Sequence, residues 1–249
     1  MKSFIRNFVG QGVCVGLMAL VSCTDGSHPD PVSVVAGWGL VSSSVDPIVS
    51  GSSSSVDPII ATSSSSNGTS VASTGTPGAP LVYGGQTYKT VVIGTQTWMA
   101  ENLNFTTSMG SWCYGNVASN CTFYGRLYDW GRAITVCPSG WHLPDTTEWT
   151  ILETAVGGTA TAGTKLKANS TLWSINTGMD NSGFSALPGG RFYSSAFNYL
   201  GNIGNWWTST ADGYGACFRS IYDSGVNNVV HNCNSTAYGF SVRCLQDSN

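Results

Sequence analysis

Between residues 146 and 156 the apolar side chains of Trp149, Leu152 and Val156 recur at i, i+3 and i+7, the spacing of one helix face. The residues ahead of them explain where that helix starts. Pro144 holds Leu143 in extended backbone, Asp145 stands at the N-cap position, and Glu148 completes a capping box three residues later. Gly157-Gly158 supplies the stop. The pattern predicts a helix from Thr146 to about Val156. A period of two governs Gln86 to Ile93; Gly94-Thr95 then turns the chain and Gln96 to Ala100 runs back, which predicts a β-hairpin. Tyr128 to Val136 predicts a short helix, weakened by Gly131. Trp112 to Phe123 reads as a loop. From Gly157 onward the pattern breaks into short strands and glycine-rich loops, with Phe240 to Leu245 as the last strand.

The first eighty residues carry neither period. Lys2 and Arg6 precede a mostly apolar run from Phe8 to Leu20, too short to span a bilayer comfortably. Leu20-Val21-Ser22-Cys23 resembles a bacterial lipobox, so residues 1–23 are expected to be a lipoprotein signal peptide with Cys23 lipidated. An ordinary secretory signal with an incidental cysteine is the alternative. Thr24 follows Cys23 in place of an aspartate, so the expected location is the outer membrane or cell surface, with the membrane contact made through the lipid anchor. Residues 24–80 are dominated by Ser, Thr, Gly and Pro, and Ser42 to Ile48 recurs as Ser53 to Ile59. Such a stretch buries too little apolar area to offset its ordering entropy. It is expected to be a tether, and about fifty flexible residues span on the order of 40 Å. The domain is placed at residues 81–249.

Composition sharpens this picture. The 249 residues allow one domain plus appendages. Charged residues make up only 9% and the net charge is −3, which leaves no broad field toward nucleic acid or an anionic surface. Nine Trp, ten Tyr and nine Phe supply either a core or an aromatic binding face. Eight cysteines point to an oxidising compartment. Cys14 and Cys23 fall in the signal, and the remaining six allow about fifteen pairings. Proximity favours Cys113–Cys121 and Cys217–Cys233, leaving Cys137–Cys244. A zinc site is the rival reading, but none of the six lies in a C-x-x-C and His142 and His231 are isolated.

Several motifs stand in a recognisable order: GQTYKTVVIGTQTWMAENLN (Gly85 to Asn104), YGRLYDW (Tyr124 to Trp130), GWHLPDTTEW (Gly140 to Trp149), AGTKLKA (Ala162 to Ala168), GFSALPGGR (Gly183 to Arg191), NWWTST (Asn205 to Thr210) and YGFSVRC (Tyr238 to Cys244). From about Leu81 to Asp247 the chain resembles the Fibrobacter succinogenes major paralogous domain. That resemblance implies an extracytoplasmic domain and no particular activity. The order also resembles the C-type-lectin-like fold of formylglycine-generating-enzyme domains, through Leu143 to Trp149, Gly204 to Trp207 and Gly239 to Arg243. The expected fold is α+β, C-type-lectin-like and disulfide-stapled, with much irregular loop.

Candidate chemistry is sparse. Of three histidines, His28 lies in the tether and His142 reads as a packed or rim residue. Asp145 and Glu148 are accounted for as caps. No G-x-S-x-G or H-E-x-x-H occurs. The formylglycine-generating relatives use a late redox-active cysteine pair, but an ordinary disulfide explains Cys217 and Cys233. The reading is therefore non-catalytic binding. Sugars stack on aromatic faces and hydrogen-bond to Asn, Asp and Arg, and Asn205, Trp206, Trp207, Asp212, Tyr214, Arg219, Tyr222 and Asp223 gather such groups. Adjacent tryptophans on a strand point to opposite faces, so one of that pair is expected in the core. No cofactor is expected. Structural calcium through Asp180, Asn181 or Asp212 is conceivable, although no twelve-residue calcium loop is present. GFSALPGGR reads as structural, and Arg243 is expected to have a buried partner. The expected partner is an extracellular glycan or a surface protein, and not nucleic acid. A structural envelope protein, or an enzyme of the formylglycine-generating type, are the alternatives.

Overall fold

The computed structural model describes residues 74–248. The expected signal peptide with Cys23, and the expected tether with His28 up to residue 73, lie outside the described residues. Five short strands open the fold: β1 (Thr76–Pro77), β2 (Leu81–Tyr83), β3 (Gln86–Tyr88), β4 (Thr90–Ile93) and β5 (Gln96–Met99). The hairpin around Gly94-Thr95 forms as read, with Val91 opposite Trp98. The single strand expected from Gln86 to Ile93 is two strands. Lys89 leaves the ladder because its N–H donates to Glu101 Oε2 at 2.7 Å and its carbonyl accepts from Ala100. β3 then pairs back on β2 through a Gly84-Gly85 turn in which both glycines have positive φ.

The folded module also begins before Leu81. β1 pairs with β4, Thr76 opposite Val92 and Pro77 opposite Val91, and Gly78 N–H donates to Thr90 O at 3.0 Å. Residues 76–80 read as tether from their composition, but Thr76 and Pro77 are the edge of a sheet. Proline is tolerated there because an edge strand need not donate on both sides. At Gly75 a Cβ would lie 1.9 Å from Ser182 O, so only glycine passes.

β6 (Ser111–Trp112), α1 (Ala118–Tyr124), β7 (Leu127–Tyr128), α2 (Trp130–Ala133) and β8 (Trp141–His142) follow. The stretch expected to be loop between Trp112 and Phe123 contains α1, closed by the Cys113–Cys121 disulfide. The helix expected over Tyr128 to Val136 shrinks to α2. Asp129 caps it, its carboxylate accepting from Arg132 N–H at 2.8 Å, while Tyr128 exchanges backbone hydrogen bonds with Phe240. α3 (Thr146–Ala155) starts at the Asp145–Glu148 capping box, and Trp149, Leu152 and Val156 are buried. α4 (Thr159–Leu166) is a helix where short strands and loops were expected.

β9 (Arg191–Tyr193), β10 (Ala196–Asn198), β11 (Ile203–Asp212), β12 (Gly215–Tyr222), β13 (Val230–Asn234) and β14 (Leu245–Gln246) complete the described chain. One sheet has the order β1-β4-β5-β14-β8, another β11-β12-β13. The expected last strand is mostly a crossing segment. Phe240 bridges Tyr128, Ser241 bridges Trp206, and ladder pairing resumes only at Leu245. The architecture is α+β, mostly sheet with few helices. Three disulfides close it: Cys113–Cys121, Cys137–Cys244 and Cys217–Cys233, the pairing that proximity favoured. Two hydrophobic clusters form the core. Trp98, Trp149, Phe184 and Trp206 lie in one, and Tyr88, Tyr128, Trp207 and Phe240 in the other. No helix among the described residues is long and apolar enough to cross a membrane.

Candidate functional site

The proposed ligand set does not assemble. Trp206 and Trp207 are both fully buried, because β11 is covered on both faces and each ring enters a different cluster. Their indole N–H groups donate to Asn102 Oδ1 at 2.9 Å and to Tyr128 O at 2.7 Å. Asn205 is buried too, donating to Gly190 O and accepting from Ser220 Oγ. These three residues have no surface left for a ligand, so their assignment as contacts is corrected to core. Tyr222 pairs with Ile203 at one end of the β11–β12 ladder, and Asp212 with Gly215 at the other. Along β12 seven residues separate those ends, about 23 Å. Tyr222 and Asp223 therefore cannot share a small ligand with Asp212 and Tyr214. Asp223 Oδ2 accepts from Asn202 Nδ2, and its carbonyl accepts from Lys167 Nζ.

Two members of the set, Asp212 and Arg219, do meet, in a cleft of about 790 Å³ between the start of α3 and the β12–β13 pair. Thr146, Thr147 and Thr150 line one side, His231 and Asn232 the other. Asp212 Oδ1 accepts from Tyr214 N–H and Gly215 N–H, which fixes the β11–β12 turn and leaves Tyr214 96% exposed. Behind the cleft Glu153 is a completely buried carboxylate. Its oxygens lie 2.8 and 3.0 Å from His231 Nε2. Arg219 Nε lies 3.4 Å away, an ion-pair distance without hydrogen-bond alignment. Arg219 Nη2 donates to Thr146 O at 3.0 Å, tying the helix start to the sheet. Burial pushes the Arg219 pKa down, and the Glu153 charge opposes that shift. Where Glu153 is a carboxylate it can only accept, so the hydrogen bond between them is donated by His231 Nε2–H.

Metal chemistry finds little support in this geometry. Asp212, Cys217 and Cys233 place ligand-type atoms within 4.8 Å of one another, but the two sulfurs are bonded to each other and offer no thiolate. Asp180, considered for calcium, spends both oxygens on Ser185, accepting from its N–H at 2.8 Å and its hydroxyl at 2.7 Å. Asn181 is exposed beside it, and Asp212 lies at the hairpin turn.

What the motifs build instead is a buried hub. Arg243 is fully buried. Its Nε donates to Asn102 Oδ1 at 2.8 Å, Nη1 to Phe184 O and Nη2 to Ser185 O at 2.7 Å. Its guanidinium lies 4.2 Å from the Phe184 ring centroid. Asn102 Oδ1 also accepts from Trp206, and Asn102 Nδ2 donates to Tyr124 O. Burial drives the Arg243 pKa down to about 9, with the charges of Asp180 and Glu101 opposing. The expected partner of Arg243 is thus an amide and two carbonyls, not a carboxylate. Five of the sequence motifs converge on these two residues.

Residues 91–246 match the sequence profile of the Fibrobacter succinogenes major domain. The chain belongs to the Fibrobacter succinogenes major domain family. No curated protein matches it, and no solved structure does. In this major domain the matched span runs from β4 to β14 and contains the hub, the cleft and all three disulfides.

The capping box of α3 has a second role in the major domain. Glu148 Oε2 accepts from Asp145 N–H, while Oε1 lies 2.8 Å from His142 Nε2. His142 Nδ1 lies 2.6 Å from Asp247 Oδ1, so one imidazole joins β8, α3 and the segment after β14. Burial opposes protonation of His142, but hydrogen bonds and charge from Asp247 and Glu148 outweigh it, and the pKa is raised above its ordinary 6.5. A raised folded-state pKa contributes stability that is complete below the unfolded value and fades as pH rises through the folded one. The thermal midpoint of the wild type is expected to fall between pH 6 and pH 8.5. In His142→Gln that fall is reduced, which paired melts at the two pH values would measure.

Proposed function

We propose that this chain is a surface-anchored lipoprotein whose C-type-lectin-like domain binds polysaccharide or another cell-surface ligand without transforming it. The observation that carries the reading is the cleft between α3 and the β12–β13 pair. Hydroxyl, amide, carboxylate and imidazole groups line it, a combination suited to a polyhydroxylated ligand. Buried Glu153 holds His231 and Arg219 in place before any ligand arrives, which lowers the ordering entropy lost on binding. Tyr214 at the adjoining turn offers a ring for stacking. Convergence of the three lectin-like segments supports the fold assignment. Trp149 and Trp206 lie 6.2 Å apart, and Arg243 lies 6.0 Å from Trp206. The lipid anchor rests on the lipobox ending at Cys23.

Burial of Trp206 and Trp207 favours the second reading, a structural envelope protein, for that part of the chain. Pull-down of the mature protein on insoluble polysaccharides separates the two. Retention on at least one polysaccharide is expected, reduced at least tenfold by joint Asp212→Ala and Tyr214→Ala at an unchanged unfolding midpoint. Equal retention by that variant would rule out the cleft. In the same preparations Cys23→Ala moves the protein from the membrane fraction to the soluble one.

A further inference from the structure

The β9–β10 hairpin presents a group of residues that the cleft does not use. Its turn, Ser194-Ser195, has positive φ at both positions, which suits the twist of a tight hairpin although neither residue is glycine. Tyr199, just beyond β10, is also in the left-handed region at φ 66°, unusual for a bulky residue. Its carbonyl accepts from Asn202 and Ile203 N–H groups, which holds the ring where it stands.

The ring lies over Arg191. The Arg191 guanidinium is 4.7 Å from the Tyr199 ring centroid and 5.4 Å from that of Tyr238. Tyr193 stacks on Tyr238 at 4.0 Å with planes 10° apart. The result is a ladder of Tyr199, Arg191, Tyr238 and Tyr193. Its outer members are 46% and 40% exposed. Phe192 N–H and carbonyl exchange hydrogen bonds with Gly239 at 3.0 and 2.7 Å, which fixes the hairpin against Tyr238.

Among the described residues, Arg191 has no carboxylate within ion-pair distance and its guanidinium makes no protein hydrogen bond. Its Nε is buried without a partner. Arg243, the other arginine that lies over rings among the described residues, spends its donors on protein acceptors. A cation over two aromatic rings, with its fork unspent, suits a planar anion that can accept two parallel hydrogen bonds. The neighbouring rings suit the apolar C–H face of a sugar.

We infer that this ladder is a second binding site, for saccharides that carry a carboxylate, such as uronic-acid units. The carboxylate takes the Arg191 fork and the pyranose ring lies on Tyr199 or Tyr193. The net charge of −3 argues for local recognition, since no general field draws a polyanion to this chain. The site shares no residue with the cleft and extends the binding reading without depending on it.

The test is calorimetric titration of the mature protein with oligogalacturonate and with a neutral galactose oligomer of equal length. Oligogalacturonate is expected to bind at least tenfold more tightly. Arg191→Met removes that preference, and Arg191→Lys restores only part of it because the fork and the stacking are lost. Asp212→Ala with Tyr214→Ala leaves it intact. Circular dichroism melts confirm that each variant is folded. Equal affinity for the two oligomers, or unchanged uronate binding by Arg191→Met, would overturn the site. Loss of uronate binding in the cleft variant alone would move it to the cleft. Equally tight binding of oligo-glutamate would make it a peptide site and overturn the saccharide assignment.

Discussion

Replacing Cys137 and Cys244 together by alanine is expected to lower the unfolding free energy by about 4.8 kcal/mol, the largest loss from any of the three disulfides. The bond closes a sequence separation of 107 residues, against 16 for Cys217–Cys233 and 8 for Cys113–Cys121. On chain entropy the two shorter loops contribute about 3.1 and 2.5 kcal/mol. The long bond also joins elements that nothing else covalent connects. Cys137 lies just after α2, and Cys244 precedes β14, the strand between β5 and β8. Cys244 is fully buried, and its carbonyl accepts from Met99 N–H at 3.1 Å. Domains of this size are stable by about 5–15 kcal/mol, so the variant sits close to the unfolding threshold. Urea titration of the three double variants gives the ranking. A Cys137/Cys244 variant that loses less than the other two would contradict it.

Arg243→Leu is expected to lose about 4 kcal/mol by a different route. Leucine removes a buried cation, which in isolation would relieve a desolvation penalty. It also strands the carbonyls of Phe184 and Ser185, each worth about 1–3 kcal/mol when buried without a donor. It leaves Asn102 Oδ1 with Trp206 alone. Arg243→Lys keeps the charge but not the fork, so it recovers less than half of the loss. Asn102→Ala combined with Arg243→Leu should cost less than the sum of the two, because they share one bond network. Denaturant melts with disulfides intact measure all four. A loss below about 1 kcal/mol for Arg243→Leu would mean that the hub is not structural.

Local signals were legible where local chemistry decides the outcome. Asp145 and Glu148 announce α3 because both capping partners lie within four residues. Gly94-Thr95 announces its hairpin for the same reason. Signals failed where a distant segment decides. α4 has the sequence TATAGTKL, a weak helix former, and its Gly163 is required because Asn228 O lies 2.5 Å from where a Cβ would stand. β1 looks like tether because two residues of backbone pairing need no particular side chain.

The candidate site was legible only as a neighbourhood. Asn205 to Asp223 is a contiguous stretch, but it folds as an antiparallel hairpin with Asp212 and Tyr214 at its turn and Tyr222 and Asp223 at its open end, so those two pairs stand apart. The second face of β11 is covered by residues from far along the chain, among them Tyr128 and Phe240, so strand alternation did not reveal that both tryptophans are core. Asn102 stood in a quoted motif without an assigned role, because its partners lie 22 to 141 residues away.

The two-residue ladder of β1 has a mechanical consequence. Any pull on the chain ahead of residue 74 enters the domain there, at an edge held by a few backbone contacts. Under load those contacts yield first, and residues 76–80, whose contour is about 17 Å, peel away before tension reaches β2. Behind them β5 adjoins β14, which the sulfur bond at Cys244 locks to Cys137. The domain therefore has a yielding first stage backed by a covalent stop.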